Sequence, residues 1–108
     1  MEAGRRSILA AVVTWRPDEG LGARLAALGP QADHLLVIDN GSPDIARIRA
    51  AARAAGGHVL ANGANLGMAA ALNQAAQAAR KAGLFFRHVY IDPKKIRIAR
   101  SRTEKSSF

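Results

Sequence analysis

Two uninterrupted apolar runs of strand length do most to restrict the folds open to this chain. One is Ile8-Leu9-Ala10-Ala11-Val12-Val13-Thr14 and the other His34-Leu35-Leu36-Val37-Ile38. Neither alternates apolar with polar residues, so a strand in either place must be covered on both faces, as in a parallel sheet between helices. Between them, Leu21, Leu25 and Leu28 recur at helical spacing until Gly29-Pro30 stops the pattern. After the second run, Ser42-Pro43-Asp44 reads as a helix start: serine to cap, proline at the first position, aspartate at the positive end. That helix is expected to carry Ile45, Ile48 and Ala52 inward and to end at Gly56-Gly57. His58-Val59-Leu60-Ala61 is a short third strand. A third helix follows from Gly67 to Ala82, with Met68, Ala71, Leu72, Ala75 and Ala79 on one stripe. Gly83 closes it, and His88-Val89-Tyr90-Ile91 is the fourth strand, ending at Asp92-Pro93. The expected fold is α/β, an open, mostly parallel four-stranded sheet with helices on both faces. Ligands of such sheets bind beyond the carboxyl ends of the strands. The loops to inspect are therefore 14–19, 39–44, 62–67 and 92–94.

The chain has 108 residues, enough for one domain. Its apolar fraction is 49%, but 24 of those residues are alanines and only five are aromatic, so the core is built mostly from small side chains. The absence of cysteine excludes a disulfide framework, a thiolate zinc site and a cysteine nucleophile. His34, His58 and His88 stand singly, without the spacing of a helical or strand metal pair. No apolar run approaches the ~18 residues of a membrane span. Ile8–Val13 is too short for a secretory signal core, which points to the cytoplasm.

The formal net charge is +8, divided as +3 over residues 1–93 and +5 over residues 94–108. The second segment (KKIRIARSRTEKSSF) has one aromatic residue, Phe108, and reads as a solvated basic tail rather than a nucleic-acid interface. A basic nucleic-acid-binding module and a protein-interaction domain pairing through an exposed sheet edge remain the alternatives from other classes.

Two loops carry candidate chemistry. In Asp39-Asn40-Gly41-Ser42-Pro43-Asp44, a carboxylate at a strand end can accept from a base imide or a ribose hydroxyl. The same residues equally suit an Asx-turn feeding a capped helix. Asn62-Gly63-Ala64-Asn65-Leu66-Gly67 can bring backbone N–H groups to a phosphate, or simply cap a helix. It is not a P-loop, for no Gly-Lys-Ser/Thr follows.

Together, Val12-Val13-Thr14-Trp15-Arg16-Pro17-Asp18, Leu36-Val37-Ile38-Asp39-Asn40-Gly41-Ser42-Pro43-Asp44 and Asn65-Leu66-Gly67-Met68-Ala69-Ala70-Ala71-Leu72-Asn73-Gln74 resemble the amino-terminal half of a family 2 glycosyltransferase of the GT-A fold. Rhamnosyltransferase-like members are the nearest in pattern, and the resemblance spans about residues 7–92. It implies binding of a nucleotide-diphosphate sugar, UDP- or dTDP-linked (dTDP-rhamnose among them), for transfer to a glycan or lipid-linked acceptor at the inner membrane surface. It also implies that Thr14, Trp15 and Arg16 frame the base and that Asp39, with Asn40 and Gly41, bonds the pyrimidine or ribose. Asn65 and Gly67 would then border the ribose-diphosphate. The family's Asp-x-Asp motif holds Mg²⁺ or Mn²⁺ at the end of the fourth strand. Here Asp92 matches its first position, but Lys94 replaces the second carboxylate, so weak metal binding is expected. The residues after 93 depart from the family, which leads to the expectation of a 1–93 nucleotide-sugar-binding half-domain and a non-homologous tail, from truncation or a shifted frame. No residue is assigned as catalytic base. Self-association through an exposed sheet edge is a further expectation.

Overall fold

The structure is a computed structural model and describes residues 7–89. Four parallel strands, β1 (Ile8–Thr14), β2 (His34–Asp39), β3 (His58–Ala61) and β4 (Phe85–His88), form one sheet in the order β3-β2-β1-β4. Helices α1 (Leu21–Leu28), α2 (Ile45–Ala54) and α3 (Met68–Ala82) connect them in turn. The expected doubly covered parallel sheet is the fold observed.

The apolar runs divide between the two faces with period two. Ala10 and Val12 of β1, with Leu35 and Val37 of β2, pack against Leu21, Leu25 and Leu28 of α1 and Ile48 and Ala52 of α2. Ala11 and Ile38 point the other way, onto Ala71 and Ala75 of α3. Burying each large aliphatic side chain of the first cluster contributes about 1.5–3 kcal/mol before entropy is counted. The second cluster depends instead on alanines, which let α3 lie close to the sheet.

Three boundaries differ from the sequence expectation. α2 begins at Ile45, so Pro43 lies in a turn ahead of it, and Asp44, at the cap position, makes no side-chain cap bond. The cause is Ser42, whose N–H and hydroxyl both bond Asp39 and are unavailable to the helix. β4 begins at Phe85, three residues early. Gly83 (φ 72°) turns left-handed, the Leu84 N–H donates to the Ala79 carbonyl, and the chain enters the sheet opposite Ile8 at once. Met68 is half exposed rather than part of the buried stripe, which consists of Ala71, Ala75 and Ala79. Asp92, Tyr90, Ile91 and the basic tail lie outside the described residues.

Candidate functional site

Strand order places the topological switch point at β1. The chain leaves β1 toward β2 and β3, then crosses back through α3 to pair β4 on the other side. Loops on the two sides of β1 therefore diverge, and a crevice opens beyond its carboxyl end. A cleft of about 360 Å³ lies there. Thr14, Trp15, Arg16, Arg24, Met68 and His88 are among the residues lining it.

The cleft's rim is held by one carboxylate. Asp39 is 1% exposed and receives four hydrogen bonds. Thr14 Oγ1 and Ser42 Oγ donate to its Oδ1 at 2.7 and 2.6 Å. The Ser42 and Gly41 N–H groups donate to its Oδ2 at 2.7 and 3.1 Å. A carboxylate offers about four lone-pair sites, so the acceptor capacity of Asp39 is filled by protein. A ligand donor would have to displace Thr14 or Ser42 to bond it.

From this anchor the network spreads. Ser42 Oγ also accepts the Arg16 N–H at 2.8 Å. Arg16 has φ 48°, the one positive φ at a non-glycine among the described residues. Its guanidinium lies over the Trp15 ring, 5.1 Å from the centroid, and both side chains are exposed. Buried Asn40 donates through Nδ2 to the Gly67 carbonyl and accepts from Asn62 Nδ2, which is paired in both directions with Gln74. Asn65 Oδ1 accepts the Gly67 N–H at 2.9 Å. Gly41 (φ 95°) lets the second loop lie directly on the third: a Cβ there would stand 2.9–3.1 Å from backbone atoms of Ala64.

The eight residues expected at the nucleotide thus belong to one connected unit, but only Thr14, Trp15 and Arg16 line the cleft. Asp39, Asn40, Gly41, Asn65 and Gly67 stand behind them or beside the start of α3. Sequence reasoning missed the arginines that set the first loop. Arg24, on the buried side of α1, pairs with Asp18 and holds its carboxyl below the ordinary range. Arg47 reaches from α2 to the Pro17 and Asp18 carbonyls and pairs with Asp44, lowering that carboxyl too. The signal was present: Arg24 occupies a position on the same face as Leu21, Leu25 and Leu28, where a charge needs a partner. His88, half-buried in the cleft wall, has its pKa lowered by desolvation.

No group of three metal-ligating side chains occurs among the described residues. The carboxylates nearest the cleft are committed, Asp18 to Arg24 and Asp39 to its four donors. The described donor set does not fit a divalent cation, and Asp92 lies outside it. No helix among the described residues is long and apolar enough to cross a membrane.

The cleft thus lies at the switch point of a parallel α/β sheet, lined by the loop after β1 and the start of α3, with the Asp39–Ser42 turn behind that loop. Residues 18–88 match the family described as Glycosyl transferase family 2, and the chain belongs to that family. No curated protein and no solved structure significantly matches the chain.

Proposed function

We propose that this chain carries the donor-binding half of a family 2 glycosyltransferase and that the cleft beyond β1 receives the pyrimidine nucleotide of a UDP- or dTDP-linked sugar. A dTDP-rhamnose donor and a glycan or lipid-linked acceptor are the finer form of this reading. The observation that carries it is the entry of Thr14-Trp15-Arg16 into the cleft at the switch point, with Thr14 tied to Asp39. In this reading the exposed Trp15 ring stacks on the base and Thr14 borders it. Asp39 acts by fixing Thr14, Gly41 and Ser42, while Asn65 and Gly67 lie toward the ribose-diphosphate. Sugar transfer further requires a base to deprotonate the acceptor hydroxyl, and no described residue is assigned that role.

Calorimetry with UDP, dTDP and ADP tests the reading. Both pyrimidine diphosphates should bind weakly and ADP more weakly still. Trp15→Ala should reduce UDP affinity about tenfold, the lower range of a base–aromatic stack. Absence of binding, or equal binding of ADP, would overturn the pyrimidine assignment. Adding Mg²⁺ or Mn²⁺ should raise UDP affinity by less than about tenfold, because the described carboxylates are already paired.

A further inference from the structure

The charges lining the cleft do not cancel. Arg24 and Asp18 form a pair, and burial disfavours the charged form of His88. Arg16 lines the same cleft, is exposed, and has no carboxylate partner among the described residues. Its guanidinium lies over the face of Trp15, which orients it without neutralising it.

Its backbone is held against its preference. At φ 48° an arginine loses conformational energy that a glycine would not. The bond from its N–H to Ser42 Oγ, itself anchored on Asp39, keeps it there. Such strain persists only where neighbouring structure imposes it, and it concentrates at binding sites. The result is a positive charge fixed at the cleft mouth, beside the ring available to a base.

We infer that Arg16 is the phosphate-reading residue of the cleft: its guanidinium takes the diphosphate of the donor while Trp15 takes the base, so that charge and stacking come from adjacent residues of one loop. This rests on the nucleotide reading above. Guanidinium-to-phosphate hydrogen bonds are charge-assisted and can be bidentate.

Trp15 is the single tryptophan of the chain and reports on the cleft directly. Its fluorescence should be titrated with UDP and with uridine in the wild type, Arg16→Gly and Arg16→Lys, with midpoints checked by calorimetry. Glycine accepts φ 48° freely, so Arg16→Gly should fold at least as stably as the wild type while UDP affinity falls about tenfold, the scale of losing one charged hydrogen bond. Uridine affinity should stay within a factor of about two, and Arg16→Lys should retain an intermediate UDP affinity. Added NaCl should weaken UDP binding to the wild type and barely affect Arg16→Gly. If Arg16→Gly weakens uridine and UDP equally, Arg16 serves only to pack Trp15 and the inference fails. If wild type binds uridine as tightly as UDP, the phosphate contact fails while the nucleotide reading survives. If wild type binds neither, both fail.

Discussion

Gly41 is the residue at which a single methyl group has the largest consequence. Its φ of 95° disfavours any side chain, and the Ala64 backbone leaves no room for one. Gly41→Ala should therefore cost on the order of 1–3 kcal/mol, measured by urea unfolding. Asp39 is the complementary case, where removal rather than addition does the damage. Asp39→Ala leaves two hydroxyls and two N–H groups without their acceptor in a buried place. A loss of about 3 kcal/mol is expected from unsatisfied donors of this kind. Loss of nucleotide binding in that variant must be read beside its stability, since Asp39 supports Thr14 and Ser42 as much as any ligand. Its aspartate–turn pattern was legible in the sequence. That the carboxylate is consumed by four protein donors was not, because Thr14 lies 25 residues away.

Among the elements, α3 shows how composition becomes geometry. Ala71, Ala75 and Ala79 recur every four residues and are at most 1% exposed, so the fully buried face of the helix consists of methyl groups. Ala75→Leu should overpack the contact with Ala11 and Ile38 and cost about 1–3 kcal/mol. Gln77→Leu, on the exposed side of the same helix, should change stability by less than about 0.5 kcal/mol. Comparing the two by thermal unfolding checks the face assignment. A smaller cost at Ala75 would mean that α3 can move away from the sheet. The loop between β1 and α1 depends on other elements in the opposite manner, through Arg24 from α1 and Arg47 from α2 rather than through apolar contact.

For the molecule as a whole, pH acts first through His88. Burial lowers its pKa from the ordinary 6.5, so the unfolded chain binds the proton more readily than the folded one. Stability is thus complete above pH 6.5 and falls with acidification through the lower folded value. Scanning calorimetry at pH 7.5 and 5.5 should show a lower midpoint at 5.5, and His88→Gln should reduce that difference. A second decline belongs below pH 3.8, where Asp18 and Asp44, both held below that value by their arginines, lose their charge.

The order of strands and helices followed from the sequence alone, because continuous apolar runs separated by helical spacing admit few arrangements. So did the three loops that meet at the site, since turn residues and strand ends are local features. Tertiary structure decided what those residues do. It turned Ser42 from a helix cap into a partner of Asp39 and Arg16, and it exposed Met68 at the cleft. It started β4 at Phe85, opposite Ile8. It also left Arg16 as the cleft's unbalanced charge. The Arg16–Ser42 bond and the Ile8–Phe85 pairing join groups more than 25 residues apart along the chain. Local periodicity carries no information about which of two competing partners a polar group finds when the sheet assembles.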